Sequence, residues 1–261
     1  TVSPTYAKEI LTPAFGYGLD DVVRRRASDL RGILNGVDRD EWNPEDDEHI
    51  AAAFSAKKPA GKAECKTALL RELGLATDRD VPLVGVVSRL WEQKGLDLAV
   101  SVLPKFLRKD SLQFVLLGSG DAWLENEFKR LAVDFPQLCA VRIGYDNGLS
   151  HRIEAGCDFF LMPSRFEPCG LNQMYSMAYG TLPIVRATGG LADTVSGWDG
   201  KKKGTGIIFE HADQGGIEWA LNRALELYQQ PATYRSLQKT AMAAEFSWAK
   251  SAEAHLECYL S

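Results

Sequence analysis

The 261 residues suffice for one large α/β domain or two small ones, and the 45% apolar content can build a hydrophobic core. The charges are interspersed, with 30 Lys and Arg against 35 Asp and Glu, which excludes a strongly basic nucleic-acid surface, and no apolar run approaches the ~20 residues that span a bilayer. Five scattered cysteines without a Cys-x-x-Cys pair argue against a disulfide framework or a zinc site and predict a reducing, intracellular setting.

The first 80 residues are less regular than the rest of the chain. Residues 34–50 combine Asn-Gly, Asn-Pro and an acidic run, which predicts a surface connection. Residues 62–75 have helical spacing, and Gly74 marks the end of that helix.

Between residues 81 and 209, short apolar runs alternate with amphipathic segments of helical period. The predicted strands are 82–88, 112–118, 139–144, 158–163, 182–185 and 206–209. The predicted helices are 95–108, 120–134, 147–156, 171–179 and a short one near 190–197. Strands that are apolar throughout and are separated by helices are typical of a parallel sheet covered on both faces. We therefore predict an α/β fold with a doubly wound parallel sheet.

From about residue 213 the chain has helical character to its end. In residues 246–260, apolar and aromatic side chains recur at steps of three and four positions. This spacing predicts a final amphipathic helix that closes the core.

Candidate site residues follow the predicted strands, because ligands of open parallel sheets bind beyond the carboxyl ends of the strands. Arg89 comes just after the first strand, and Lys94 follows five residues later, before a helix. A bidentate guanidinium and a point charge beside a helix N-terminus suit a diphosphate. Two ordinary surface charges on a solvated loop are the alternative.

A second turn, Gly-Ser-Gly-Asp at 118–121, shares part of the dinucleotide-binding fingerprint but lacks the full Gly-x-Gly-x-x-Gly. Asp121 can simply cap the helix that follows, and this structural role is favoured.

The third turn, "SRFEPCGL" at 164–171, places Glu167 ahead of a helix start. Backbone donors at Cys169, Gly170 and Leu171 can hold an anion, while the carboxylate of Glu167 can accept hydrogen bonds from hydroxyls, which together indicate a sugar phosphate. The alternatives are a Glu167 that balances Arg165 and a Cys169 that fills buried space. Spacing alone does not choose between these interpretations.

A fourth turn contains Gly189 and Gly190, which allow either close approach of a ligand or a tight connection. His151 can act as a hydrogen bonder near a nucleotide base, although an ordinary helix position is favoured. No group of His, Asp and Glu residues has metal-ligand spacing.

Three segments taken in order resemble the bacterial glycogen synthases and plant starch synthases: "SRLWEQKGLD", "SHRIEAGCDFFLMPSRFEPCGLNQMYSMAYGTLPIVRATGGLADTV" and "FSWAKSAEAHLECYL". The segments "TVSPTYAKEI" and "LNGVDRDEWNP" match that family as well, so the resemblance covers nearly the whole chain. It implies a retaining glucosyltransferase of the two-domain GT-B type, which extends an α-1,4-glucan at its non-reducing end from a nucleotide-diphosphate glucose, usually ADP-glucose.

The resemblance also assigns roles to individual residues. Arg89 and Lys94 would bind the donor diphosphate and offset the charge of the leaving group, so no metal or other cofactor is expected. Glu167 would contact the transferred glucose as a nucleophile or a charge stabiliser. The implied donor-binding residues are Ser88, Gly118, Tyr145, Cys169, Gly170, Leu171, Asn172, Gln173, Thr188, Gly189 and Gly190.

The sequence departs from the family pattern in two respects. The Lys-x-Gly-Gly-Leu segment of the family's amino-terminal domain has no counterpart, so residues 1–12 are expected to be a remnant of that domain and residues 13–261 the donor-binding domain. The closing helix at about 244–260 would cross back to the missing domain, which leaves part of its apolar face exposed. Tyr175 stands where the wider superfamily often has a second glutamate, eight positions after Glu167, which leaves the ribose contact open.

The partners that the resemblance implies are a nucleotide-diphosphate glucose, an α-glucan acceptor and the missing domain, without nucleic acid or membrane. We expect the chain alone to be inactive. Two alternatives are a nucleotide- or glucan-binding module without turnover and a related enzyme that uses UDP-glucose. A bacterial cytoplasm is favoured over a plastid.

Overall fold

The computed structural model describes residues 1–201 and 203–260, and its centre is a six-stranded parallel sheet. The strands are β1 (Leu83–Leu90), β2 (Gln113–Gly120), β3 (Cys139–Ile143), β4 (Phe159–Met162), β5 (Leu182–Arg186) and β6 (Ile207–Phe209). They lie in the order β3-β2-β1-β4-β5-β6, and each pair of neighbours is parallel. The predicted doubly wound α/β fold is confirmed, as are all six predicted strands.

Helices surround the sheet, and those predicted from residue 62 onward are present, whereas three short helices within residues 4–24 were not predicted. The helices are α1 (Pro4–Glu9), α2 (Pro13–Gly16), α3 (Asp20–Arg24), α4 (Ala60–Leu73), α5 (Leu96–Leu107), α6 (Ala122–Asp134), α7 (Asn147–Gly156), α8 (Asn172–Ala178), α9 (Gly189–Thr194), α10 (Gln214–Tyr228), α11 (Pro231–Met242) and α12 (Trp248–Leu260). Gly74 ends α4 with a φ of 72°, the left-handed conformation that a helix-terminating glycine adopts. None of the described helices combines the length and the apolar character needed to cross a membrane.

The core consists of two apolar layers, one on each face of the sheet. Side chains alternate between the faces along a strand, so Val115 and Phe160 pack with α4 and α7, whereas Phe114 and Leu116 pack with α5 and α6. These strand residues are at most 1% exposed. Burial on both faces explains why the strands are apolar throughout instead of alternating with polar residues.

The strand order reverses between β1 and β4. From β1 the chain proceeds outward to β2 and β3, then returns to β4 and proceeds outward on the other side to β5 and β6. A crevice forms at the carboxyl edge of the sheet where the order reverses, and this is where ligands bind in open α/β sheets. The turns after Leu90 and Met162 both face this crevice.

Residues 34–50 are irregular, as predicted, but the expectation of a mere surface connection is wrong. Trp42 is only 8% exposed and stacks between His151 and Tyr175, with centroid distances of 3.9 Å to each ring. Asp47 accepts a hydrogen bond from Tyr179 and contacts His151 Nδ1 at 2.8 Å. The acidic, turn-rich composition of the segment gave no indication that Trp42 and the carboxylate of Asp47 are buried.

The closing helix α12 contributes little to the core. Its buried residue among those described is Ser251, while Trp248, Leu256 and Tyr259 are 52%, 58% and 80% exposed. The prediction that this helix closes the core is therefore wrong for most of its length. The expectation that its apolar face would be partly exposed is confirmed.

The stacked position of Trp42 predicts a large stability effect. We expect Trp42→Ala to lower the free energy of unfolding by about 3–5 kcal/mol, because it removes a buried aromatic side chain and leaves a cavity beside two rings. Urea denaturation followed by circular dichroism would measure this change. Trp123→Ala is the matched control, since Trp123 is 58% exposed and its loss should change stability by no more than about 0.5 kcal/mol. Equal effects of the two substitutions would contradict the account.

Candidate active site

A cavity of about 610 Å³ opens at the crevice beyond the ends of β1 and β4. Its size falls within the range of about 300–1,000 Å³ that is usual for small-molecule sites. Eight of the predicted site residues line it: Ser88, Arg89, Lys94, Glu167, Cys169, Gly170, Leu171 and Asn172. The fold thus brings together residues from two distant parts of the sequence.

The centre of this cavity is an ion pair between Lys94 and Glu167. Lys94 Nζ lies 2.5 Å from Glu167 Oε2, and the hydroxyl of Ser164 donates to the same oxygen at 3.2 Å. The two charged side chains are only 17% and 8% exposed. Within the described ranges no hydrogen bond reaches the other oxygen, Oε1, so it remains available to a ligand.

Glu167 does not balance Arg165, so that alternative is wrong. Arg165 instead makes two hydrogen bonds to Asp97, at 2.6 and 2.7 Å. These bonds lower the pKa of the Asp97 carboxyl. Arg165 therefore holds the turn against α5, and Glu167 forms its ion pair with Lys94.

The two turns meet because their backbones pack directly against each other. Gly95 has a φ of 66°, and a Cβ added there would lie 2.0 Å from the carbonyl oxygen of Pro163, so only glycine allows this approach. The amide of Arg165 donates to the carbonyl of Gln93 at 2.8 Å, and the side chain of Gln93 donates to the carbonyl of Phe166 at 3.2 Å. These contacts hold Lys94 opposite Glu167.

The loop before α8 presents backbone donors to the cavity. The amides of Cys169, Gly170 and Leu171 have no hydrogen-bond acceptor in the part of the chain that the structure describes. Asn172 fastens the loop to the sheet, since its side-chain amide donates to the carbonyl of Val87 at 2.7 Å. Burial raises the pKa of the Cys169 thiol, which fits a side chain that fills space below the loop.

A smaller cavity of about 340 Å³ adjoins the first and shares Val87, Ser88, Arg89 and Asn172 with it. It lies over the ends of β2 and β3 and contains the predicted residues Gly118 and Tyr145. The ring of Tyr145 is 90% exposed, so it can be covered by a ligand. Together the two cavities form one bent cleft with Arg89 at the bend.

Glu154 and Trp42 also line this smaller cavity, and neither was among the predicted site residues. Glu154 is 1% exposed, and burial raises its pKa to about 8 despite a 2.7 Å hydrogen bond from Ser176. The sequence does contain a signal for the buried position of Glu154, because this glutamate stands between apolar residues of a predicted helix. Tyr175, which stands in place of the second superfamily glutamate, lines the same cavity, and burial raises its pKa to about 12.

Four predicted site residues lie behind the Glu167 turn and line neither cavity: Gln173, Thr188, Gly189 and Gly190. Gln173 donates to the carbonyls of Cys169 and Gly170 at 3.1 and 3.0 Å. The amide of Gly190 donates to the carbonyl of Glu167 at 3.0 Å. Contact with the donor by these four residues stays a prediction, while their observed contacts support the turn.

The carboxylate of Glu9 covers the Thr188–Gly189 loop. Its Oε1 accepts hydrogen bonds from the hydroxyl of Thr188 at 2.8 Å and from the amide of Gly189 at 3.0 Å. Residues 1–9 therefore pack onto this domain, with a further hydrogen bond of 2.6 Å from the Ser3 hydroxyl to the carbonyl of Pro168. The assignment of residues 1–12 to a different domain stays a prediction.

Two other expectations are settled by contacts. Asp121 Oδ1 accepts hydrogen bonds from the amides of Trp123 and Leu124 at 2.8 and 3.2 Å, so its role as a helix cap is confirmed.

His151 is 1% exposed and lines neither of these two cavities, because Trp42 lies between it and the cleft. This placement fits the favoured interpretation of His151 as an ordinary helix position away from the nucleotide. Among the described residues, no group of three or more His, Cys, Asp or Glu side chains is arranged to hold a metal ion.

Comparison with known proteins identifies the class. The family model described as "Glycosyl transferases group 1" matches residues 74–241, and the model "Starch synthase catalytic domain" matches residues 1–25. The chain belongs to the group 1 glycosyl transferases.

Curated relatives narrow this class to the glycogen and starch synthase type. The chain is 54% identical over 261 residues to a glycogen synthase of Anaeromyxobacter sp. (strain Fw109-5), covering 100% of the chain and 55% of the relative. It is 50% identical over 262 residues to a glycogen synthase of Cellvibrio japonicus (strain Ueda107), covering 99% of the chain and 54% of that relative. The chain thus spans about half the length of the curated relatives it matches.

A solved structure confirms the GT-B, Rossmann-like fold. The catalytic domain of Starch Synthase IV from Arabidopsis thaliana, bound to ADP and acarbose, superposes with a TM-score of 0.91 at 41% identity, covering 100% of this chain and 54% of that one. Anabaena Alr3699/HepE in complex with UDP-glucose superposes with a TM-score of 0.67 at 18% identity, covering 95% of this chain and 62% of that one, and shares the fold alone.

Glu154 predicts a pH dependence of stability. Its pKa of about 8 lies above the ordinary value of ~4.3, so the protonated carboxyl favours the folded state, and stability is lost as pH rises through this interval. We expect the free energy of unfolding of the unmodified chain to fall relative to Glu154→Gln between pH 6 and pH 8, by up to about 1.4 kcal/mol per pH unit. Urea denaturation at several pH values would measure the difference. Glu245→Gln, an exposed control, should show no such divergence, and parallel curves for Glu154→Gln would contradict the prediction.

Proposed function

We propose that this chain is the donor-binding half of an enzyme that transfers glucose from ADP-glucose to the non-reducing end of an α-1,4-glucan with retention. The observation that carries the proposal is the meeting of Arg89, Lys94 and Glu167 at the switch point of the sheet, in a chain with about half its residues identical to glycogen synthases. The starch synthase that shares 41% identity binds ADP, which supports adenine over uracil in the donor.

The donor diphosphate would lie across the bend of the cleft. Arg89 can grip it as a bidentate fork, and Lys94 adds a compact positive charge to the phosphate that leaves. The amides of Cys169, Gly170 and Leu171 supply neutral donors on the same side. Preorganised charges in a partly dry cleft stabilise the developing negative charge of the leaving group, a role that a divalent ion plays in other enzymes. We therefore propose that the donor half needs no cofactor.

The transferred glucose would lie against Glu167. Lys94 and Ser164 fix one carboxylate oxygen, which orients the group, while Oε1, which has no hydrogen-bond partner among the described residues, can accept a hydrogen bond from a sugar hydroxyl. The same carboxylate would then stand where positive charge develops on the sugar as the bond to the diphosphate breaks. A covalent route and a same-face ion-pair route to retention both use this placement.

The nucleoside would occupy the smaller cavity. The exposed ring of Tyr145 offers a stacking surface for the base. Glu154 and Tyr175 lie where the ribose would approach, and the carboxyl of Glu154 can take the place of the glutamate that Tyr175 replaces. This arrangement gives the ribose a polar partner without the superfamily residue.

The acceptor would bind between this chain and a second domain. The relatives are about twice as long as the chain, and the chain covers only 54% of the starch synthase structure that binds acarbose. Exposed apolar side chains on two segments are available to pack with that domain: Tyr17, Leu19, Val22, Trp248, Leu256, Tyr259 and Leu260. Since the curated relatives are bacterial, the proposed setting is a bacterial cytoplasm.

One prediction from this proposal concerns nucleotide binding by this chain. We expect Arg89→Ala and Lys94→Ala each to weaken ADP binding about tenfold or more, because a charged hydrogen bond contributes roughly 1.5–3 kcal/mol. Isothermal titration calorimetry would measure the dissociation constants. Arg71→Ala removes an exposed charge on α4, away from both cavities, and should leave ADP affinity unchanged. Undiminished binding by the two site variants would refute the assignment of the diphosphate.

Another prediction from this proposal concerns glucose transfer. In a chain joined to the amino-terminal half of a glycogen synthase, we expect Glu167→Gln to lower kcat by at least about a hundredfold, as does loss of one preorganised catalytic group elsewhere. ADP should still bind, since ADP lacks the glucose that Glu167 contacts and Lys94 keeps its positive charge. Transfer of labelled glucose to glycogen would report kcat, and Glu245→Gln is the control. A Glu167→Gln variant with normal turnover would rule out the proposed role.

A further inference from the structure

A second large cavity lies on the opposite edge of the sheet from the candidate active site. It has a volume of about 650 Å³ and is enclosed by α4, the end of α10 and α11. Asp158, which immediately precedes β4, lies at its base, so the cavity opens at the amino ends of the strands. It shares no residue with either part of the cleft described above.

The charge lining this cavity is strongly positive. Its charged residues among those described are four cations and one carboxylate: Lys62, Lys66, Arg235, Lys239 and Asp158. Asp158 is already neutralised, because its Oδ2 lies 2.7 Å from Lys66 Nζ and also accepts a hydrogen bond from the amide of Leu83. The other three cations make no direct ion pair among the described residues, in a chain whose formal net charge is −5.

Lys62 is the most unusual of these three. Its Nζ donates to the carbonyl of Ala155 at 3.0 Å and to the hydroxyl of Thr181 at 2.7 Å, both of which are neutral acceptors. No ion pair of Lys62 is found among the described residues, and burial lowers its pKa to about 8. An ammonium group has three donors, so one remains for a ligand. Burial of a cation that makes no direct ion pair is destabilising, and an anion in the cavity would relieve that cost.

Arg235 and Lys239 stand at the mouth of the cavity, one turn apart on the same face of α11. In the described ranges neither side chain makes an ion pair or a hydrogen bond, although several other exposed cations of the protein pair with a nearby carboxylate. Two unpaired cations at the mouth and a buried one deeper in the cavity form a positively charged site that suits a doubly charged anion.

The remaining wall is apolar and aromatic. It includes Phe54, Tyr228, Tyr234 and Met242, and the hydroxyl of Tyr234 is occupied by a 2.9 Å hydrogen bond to the carbonyl of Asp158. We propose that this cavity binds a phosphate ester, with the phosphate between Lys62, Arg235 and Lys239 and the body of the ester against the rings. The site is independent of the proposed donor site, and its failure would leave that proposal intact.

The four methionines of the chain offer a direct test, because Met242 lines this cavity and Met162 lines the candidate active site. Met174 and Met177 are each 1% exposed and report on the core. NMR spectra of the methyl-¹³C-methionine protein would be recorded during titration with phenyl phosphate, inorganic phosphate and phenol, and Met242→Leu would assign the Met242 signal. We expect phenyl phosphate to shift the Met242 signal saturably and more tightly than inorganic phosphate, and phenol to leave it unchanged at the same concentrations.

Two double variants that each remove two positive charges test where the ligand binds. Arg235→Ala/Lys239→Ala should weaken phenyl phosphate binding at least tenfold, whereas Lys129→Ala/Arg130→Ala, which removes two exposed cations of α6, should not change it. Circular dichroism would verify that both variants are folded. A Met242 signal that does not move up to about 10 mM ligand, shifts confined to Met162, or equal affinity in the two variants would overturn the proposal. Equal affinity for inorganic phosphate and phenyl phosphate would overturn the role of the apolar wall.

Discussion

The contact between Lys94 and Glu167 is the constraint on which the candidate active site depends. It joins the turn after β1 to the turn after β4, at the position where the strand order reverses. Both charged groups are mostly removed from water, so each requires the other to compensate for lost hydration. The glycine at 95 and the paired turn backbones make the contact possible, and Arg89 is then placed at the bend of the same cleft.

The rest of the domain serves to hold these turns in place. Burial of the sheet on both faces makes β1 and β4 rigid supports, and the Asn172 side chain ties the start of α8 to the end of β1. Behind the Glu167 turn, the Gln173 side chain and the Gly190 amide donate hydrogen bonds to its carbonyl groups. Precise placement of a carboxylate and two cations therefore follows from ordinary packing and hydrogen bonding, and the chemistry proposed for them needs little further movement of the domain.

Much of the fold and of the candidate site could be predicted from the sequence, because the patterns that indicate them lie within short segments. Apolar runs separated by helical periods predict a parallel sheet, and the rule that ligands bind beyond strand ends makes Arg89, Lys94 and Glu167 candidates, whose roles the family resemblance then implies. The features that were missed depend on contacts between distant segments. Trp42 sits in an acidic, turn-rich stretch whose composition resembles a surface loop, and only the tertiary fold brings it between two rings. Neither the partner of Glu167 nor the cations around Lys62 can be read from spacing.

The central claim is that the cleft at the switch point receives a nucleotide diphosphate. Its most direct test is an experimental structure of this chain with ADP. The account predicts that the diphosphate lies within hydrogen-bond distance of Arg89 and Lys94, with the base beside Tyr145 in the smaller cavity. ADP bound instead at the amino ends of the strands, beside Lys62 and Arg235, would contradict it.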